Sequence, residues 1–280
     1  VARQIVALRR AGQKVLVVHG NGPQIGALAL AQEAVAPDVS PQPLDVLGAM
    51  TQGQLGYVLM NAVDEALRAE GRDDGVSALV TRVVVDRDDP GFANPTKPIG
   101  PFFPEGRARR LAAARGWNVA EDSGRGWRRV VPSPMPNEVI EWSQVAELLA
   151  HNGVVLACGG GGIPVTRNDD GLASVEAVLD KVATAALGAD LFGARTLLLL
   201  TGVDHVLLDF GTERERPVGQ MDSAEADRHL ADGQFPPGSM GPKVQAAIDF
   251  VRTPGRTAII TSLERGPAAL AGQAGTRISA

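Results

Sequence analysis

One cysteine, Cys158, occurs in 280 residues. An intrachain disulfide and a cysteine metal cluster are thereby excluded, which fits a reducing interior; the thiol is expected to pack as a small apolar group. Long apolar runs are missing as well. None approaches the roughly twenty residues of a membrane span, and the first residues carry no signal-peptide pattern. The expectation is a soluble cytoplasmic protein without a membrane partner. There is no excess of basic residues either: Lys and Arg total 27 against 32 Asp and Glu. The formal charge of −5 favours solubility and gives no electrostatic reason to expect nucleic acid. His19, His151, His205 and His229 are scattered without metal-ligand spacing, so no protein-held metal is expected. Two phosphate-binding signatures also fail to appear. Without G-x-x-x-x-G-K-[ST] there is no P-loop, and without G-x-G-x-x-G opening a helix after a strand a dinucleotide fold is disfavoured.

What the chain does have is two glycine loops, each entered directly from an apolar, strand-like run. Residues 14–18 lead into His19-Gly20-Asn21-Gly22-Pro23-Gln24, and residues 153–156 lead into Ala157-Cys158-Gly159-Gly160-Gly161-Gly162-Ile163-Pro164-Val165. Loops without Cβ atoms let a ligand approach the backbone, and their N–H groups are expected to be free to face an anion. Two of them at strand carboxyl ends would line one rim of a sheet, where α/β proteins bind ligands. A helix over 24–33 would aim its N-terminus at the first loop, which favours a bound anion.

The remaining pattern is alternating. Ile5 and Leu8 recur at helical spacing in the opening residues, so the chain starts within a helix, and position 1 is not methionine. After Pro37, Pro41 and Pro43 a long helix is expected over about 50–69, then a strand over 77–86. Residues 87 to about 135 are rich in proline and read as an excursion from the main sheet, with a helix over 105–115 and an irregular hairpin over 124–134. Arg125, Arg128 and Arg129 of that hairpin suit a solvated face, the usual fate of a short charge run, with an anion-facing lid beside the proline-fixed Lys97 as the alternative. Helices over 144–150, 175–187, 223–231 and 244–252 alternate with strands over 154–158, 196–200 and 257–261. The run 196–200 is apolar throughout, as for a strand covered on both faces. Such alternation implies a largely parallel sheet with right-handed crossovers. Lysines near glycine loops suit phosphate, because phosphoryl transfer needs positioning and charge compensation rather than covalent chemistry. Lys181 stands beside Asp180; Lys243 follows a Gly/Pro loop and opens a helix, where an ammonium opposes the dipole unless an anion is near.

At these residues the chain resembles the carbamate kinases, within the amino acid kinase superfamily. The blocks that carry the resemblance are the two glycine loops, Met50-Thr51-Gln52-Gly53, Thr81-Arg82-Val83-Val84-Val85-Asp86, Asn94-Pro95-Thr96-Lys97-Pro98-Ile99-Gly100-Pro101-Phe102, Gly124-Arg125-Gly126-Trp127-Arg128-Arg129-Val130-Val131-Pro132-Ser133-Pro134, Val175-Glu176-Ala177-Val178-Leu179-Asp180-Lys181 and Pro237-Gly238-Ser239-Met240-Gly241-Pro242-Lys243. The resemblance implies a three-layer α/β/α sandwich around a mainly parallel central sheet, one kinase domain over 1–280 with a protruding subdomain over about 87–135, and a homodimer. It implies magnesium-dependent, reversible phosphoryl transfer between carbamoyl phosphate and ADP, giving ATP and carbamate, usually in arginine catabolism. By motif, Lys97 reaches the carbamoyl phosphate while Gly20, Asn21, Gly22, Gly159, Gly160, Gly161 and Gly162 surround the anion. Lys181 and Lys243 neutralise the phosphoryl group in transfer, and Thr201, Gly202, Val203, Asp204 and Met240 lie near the nucleotide.

Two features depart from the family pattern. The family opens with a strand ending in an Ala-Leu-Gly-Gly-Asn-Ala type loop that this sequence lacks, so the expectation is an incomplete N-terminus. Where the family has Asp-Lys-Asp, this chain has Asp180-Lys181-Val182, and valine offers no oxygen to orient a lysine. If the segment is helical, Asp180 points to nearly the opposite side and cannot substitute. A homologue that binds ligand or partner without turnover is the alternative reading, and phosphorylation of another small acid a third.

Overall fold

The computed structural model describes all residues except Pro37, Ser123, Pro237 and Gly238. One of the prolines expected to break the early pattern and the first two residues of the 237–243 block therefore lie outside the described residues. The chain divides into two compact units, Val15–Thr184 and Val1–Lys14 with Ala185–Ala280. Among the described residues no helix is long and apolar enough to cross a membrane.

After α1 (Ala2–Arg10), which belongs to the second unit, the first unit runs β1 (Val15–Val17), α2 (Gly22–Val35), α3 (Leu44–Ala69), β2 (Val76–Ala78), β3 (Arg82–Val85), β4 (Lys97–Phe103), α4 (Glu105–Arg115), β5 (Asn118–Glu121), β6 (Trp127–Val131), β7 (Pro136–Val139), α5 (Trp142–His151), β8 (Val154–Leu156), β9 (Ile163–Asn168) and β10 (Gly171–Ser174). Strands β1, β8 and β2 form an all-parallel sheet in that order, and both glycine loops leave its strand ends. A second sheet has the order β10-β9-β3-β7, parallel only between β3 and β9. The strand expected over 77–86 is thus two strands in two sheets. The chain breaks at Thr81, which is fully buried because the Gln52 side chain replaces a neighbouring strand: Thr81 N–H donates to Gln52 Oε1 at 2.8 Å, and Gln52 Nε2 donates to Thr81 O at 3.3 Å.

The proline-rich stretch builds a separate antiparallel sheet, β4-β6-β5. Pro98 and Pro101 sit in β4, an edge strand, where a missing N–H costs no ladder bond. The expectation of solvated arginines fails for two of the three. Arg128 is 8% exposed and pairs with Asp122 at 3.0 Å, while half-buried Arg129 reaches Glu33 at 3.3 Å. Successive residues of a strand face opposite sides, and each side here supplies an acid. Sheet β4-β6-β5 is fixed to the helices by Ile25, Ala29, Leu44, Leu47, Ile99, Val131 and Val178, all buried together. At its closest point backbone meets backbone: a methyl on Gly26 would lie 2.1 Å from both Cα and N of Gly100. Gly26→Ala is therefore expected to push β4 off α2 and to cost about 2 to 3 kcal/mol, as overpacking does, read as a lowered urea midpoint at unchanged m-value.

Helix α6 (Lys181–Leu191) starts in the first unit and continues into the second. It corrects the helix expected over 175–187. Residues 175–180 are not helical, because Val178 N–H donates to Pro132 O at 3.0 Å and Ala177, Val178 and Leu179 are buried. The second unit adds β11 (Thr196–Thr201), β12 (Val206–Leu208), β13 (Arg216–Val218), β14 (Gln220–Asp222), α7 (Ser223–Ala231), α8 (Gly241–Val251), β15 (Thr257–Ser262), α9 (Gly266–Leu270) and β16 (Thr276–Ser279). Its sheet has the order β11-β15-β16-β14, with β11 and β15 parallel. As an edge strand, β11 buries Leu197 and Leu199 and leaves Leu200 exposed, so the expectation of cover on both faces is corrected. Ile259, Ile260 and Ile278 of this sheet and Ile248 and Phe250 of α8 are fully buried core residues.

Candidate active site

The two glycine loops meet. Gly160 N–H donates to His19 O at 2.7 Å, and a methyl on Gly159 would lie 2.3 Å from the His19 ring. The expectation that the four-glycine N–H groups are free is corrected for three of them. Gly160 bonds His19 O, Gly161 bonds Cys158 O and Gly162 bonds Gly159 O, and all four glycines are buried. This run serves close packing: methyl groups at 160, 161 and 162 would meet Asn21, Leu179 and Val83 at 2.2, 2.8 and 2.3 Å.

A buried polar network locks the pair of loops. Thr51 and Gln52 project from the middle of α3. Asn21 Nδ2 donates to Thr51 Oγ1 at 2.9 Å, and Gln52 Nε2 to Gly159 O at 3.0 Å. Cys158 N–H donates to Thr81 Oγ1 at 2.6 Å, and Thr184 Oγ1 to Gly161 O at 2.9 Å. Every side chain in this set is satisfied, which is what makes buried polar groups rigidify rather than destabilise a core. Burial pushes the Cys158 thiol up to about 11, so it is inert packing. Burial also lowers the pKa of His19, against the smaller effect of its bond to Gly20 O, so the imidazole is neutral near pH 7.

The open groups of this region belong to α2. Its N-cap residue, Asn21, makes no side-chain cap, Pro23 lies in the first turn and no acid is present there. Among the described residues the N–H groups of Gly22 and Gln24 have no partner, leaving the positive end of the helix uncompensated. Two cations border it. A methyl on Gly20 would lie 3.2 Å from Lys181 Cδ and 3.6 Å from its Nζ, and one on Gly22 would lie 3.8 Å from Arg128 Nη2. Arg128 is held rigid by Asp122 and by donation from Nε to Gly100 O at 2.9 Å. Lys97, the first residue of β4, donates to Asp180 Oδ2 at 2.5 Å. Burial depresses the pKa of Lys181, Lys97 depresses it further, and Asp180 opposes both. Burial would raise Asp180, but the Lys97 charge and bond, with the N–H groups of Val182 and Ala183, hold it below the ordinary carboxylate range. A backbone anion hole ringed by fixed cations can hold a small phosphorylated anion and neutralise charge moving through it.

Of the sequence-predicted residues, this unit brings together Gly20, Gly22, Lys97 and Lys181. Asn21 and Gly159, Gly160, Gly161 and Gly162 lie directly behind them. In the other unit, Thr201 ends β11 and Gly202, Val203 and Asp204 form an exposed turn tied by Asp204 to Arg265 at 3.3 Å. Met240 is the N-cap of α8, and Lys243 lies in its first turn, donating to Ser239 O at 2.8 Å. Sequence reasoning gave no role to Thr51, Gln52, Thr81 or Thr184. The available signal was a Thr-Gln pair in α3 one turn after the apolar Leu47 and Gly48, on the buried face of the helix.

Residues 1–262 match the model of the amino acid kinase family, to which the chain belongs. Its fold, with parallel sheets and flanking helices, is that family's. Within the family its relatives are carbamate kinases. The carbamate kinase of Pyrococcus furiosus is 43% identical over 279 residues, 99% of this chain and 89% of the relative. Two solved structures of carbamate kinase from Giardia lamblia, each 40% identical, cover 99% of this chain and 88% of their own. The one bound to citric acid superposes with a TM-score of 0.94 and the one bound to AMP-PNP with 0.88.

Proposed function

We propose that this chain catalyses reversible phosphoryl transfer between carbamoyl phosphate and ADP, giving ATP and carbamate. The observation that carries the reading is the uncapped N-terminus of α2 with Lys181 and Arg128 beside it, in a chain whose relatives are carbamate kinases. In the forward direction the bond from phosphorus to the carbamoyl oxygen breaks, one from phosphorus to a β-phosphate oxygen of ADP forms, and carbamate leaves as an anion. No covalent enzyme intermediate is needed. The N–H groups of Gly22 and Gln24 position the phosphoryl group, and Lys97 and Lys181 offset the charge on its equatorial oxygens.

For the other unit we assign Lys243 to the phosphoryl group, and Thr201, Gly202, Val203, Asp204 and Met240 to the nucleotide, following the motif resemblance. Among the described residues no three His, Cys, Asp or Glu side chains are grouped to hold a metal. Mg2+ would come with the nucleotide phosphates and share the neutralisation of charge there. We further assign residues 87–135 to a subdomain carrying Lys97, the protein to the cytoplasm and its assembly to a homodimer. The test is ATP formation from carbamoyl phosphate, ADP and Mg2+ by the purified protein, read through hexokinase coupling. Sustained, protein-dependent ATP is expected; folded protein that forms none rejects the reading.

A further inference from the structure

We propose that Asp180 is the positioning residue of this site, one carboxylate that fixes the start of α6, and with it Lys181, while holding the Lys97 ammonium alongside. The inference deepens the proposed transfer reaction and rests on that reading. Its basis is a division of work between two oxygens. Oδ1 accepts the N–H groups of Val182 at 2.8 Å and Ala183 at 3.3 Å, the bonds of a helix N-cap, while Oδ2 accepts from Lys97 Nζ at 2.5 Å. Lys97 arrives from β4, 83 positions away in sequence, so this carboxylate ties the strand bearing one lysine to the helix bearing the other. Because α6 begins at Lys181, Asp180 has left the helical path and is not confined to the far side of the helix. Val182 is buried and has no oxygen to offer. The acceptor that faces the lysines is therefore the residue before Lys181 rather than the one after it.

Charge makes the placement consequential. Lys181 faces Lys97 from β4 and lies across Gly20, in the loop after β1 whose His19 is neutral; Arg128 of β6 borders the same loop at Gly22. Asp180 opposes Lys97 and Lys181, as Asp122 does Arg128. Held below the ordinary carboxylate range, it stays charged through the neutral and alkaline range, and its removal lets Lys181 lose its proton at lower pH.

Asp180→Asn tests this, because asparagine caps a helix as well as aspartate does but carries no charge. The expected result is a folded protein with a lower melting temperature, because the fold favours the charged carboxylate, kcat/KM for carbamoyl phosphate lower by about 10 to 100-fold, KM for ADP unchanged, and the alkaline limb of kcat/KM moved to lower pH. Lysine-selective 13C NMR on the ligand-free protein should show Lys181 titrating at correspondingly lower pH. Asp180→Ser, which also caps, should match Asp180→Asn. A pH profile and a Lys181 titration that coincide with wild type in folded Asp180→Asn would overturn the proposal. The NMR titration reads Asp180 without turnover, so failure of the wild-type protein to make ATP would reject the reaction and leave the positioning claim to be decided by the titration.

Discussion

Lys181→Ala is expected to lower kcat for ATP formation about 10³-fold, as the loss of one preorganised stabilising charge does, with KM for ADP nearly unchanged. Lys181 lies across Gly20 at the mouth of α2, half-buried and with a depressed pKa, so its charge acts where water screens it poorly. Stability should not fall with activity. Burial disfavours this ammonium, and alanine removes a group that repels Lys97, so the variant should melt at or above the wild-type temperature. Lys181→Arg should be nearly as inactive as alanine, since a planar guanidinium is longer than an ammonium and presents its donors in a different geometry. The check is steady-state kinetics with calorimetry on all three proteins. An alanine variant within threefold of wild-type kcat would remove Lys181 from the reaction.

Gly160→Ala should give the largest loss of stability. Gly160 has φ +71°, a region that costs an L-residue about 1 to 2 kcal/mol. Its added methyl would lie 2.2 Å from Asn21 Nδ2, an atom tied to Thr51, so neither side can yield without breaking a buried bond. Together these should cost about 4 kcal/mol, lowering the melting temperature by about 10 °C, and should displace the loop in front so that carbamoyl phosphate binding is lost with it. Gly53→Ala provides the control. Gly53 is exposed within α3 with nothing within 4 Å of an added methyl, so alanine there should be neutral or stabilise by about 0.5 to 1 kcal/mol. Equal melting temperatures for Gly160→Ala and wild type would mean that the loops do not pack as described.

The rim was legible because its signal is local. A strand-like run that breaks into glycine appears twice, and both runs are neighbouring parallel strands, β1 and β8. What the glycines do was not legible. Sequence alone does not distinguish an N–H group kept open for an anion from one donated to His19 O. The start of α6 was misplaced because Val175, Val178 and Leu179 recur at helical spacing, yet Val178 bonds Pro132, 46 residues earlier in the chain. The same pattern hides the role of Asp180, whose partner Lys97 lies on a strand whose register no local pattern specifies. The burial of Arg128 is hidden for a similar reason: a short charge run looks the same whether or not Asp122 folds back to meet it.

The most direct measurement is a crystal structure with phosphonoacetamide, an analogue of carbamoyl phosphate whose phosphonate cannot be transferred. The account predicts phosphonate oxygens at the N–H groups of Gly22 and Gln24, with the ammonium groups of Lys97 and Lys181 on the same group. Phosphonate bound elsewhere, or bound there with both lysines turned away, would contradict it.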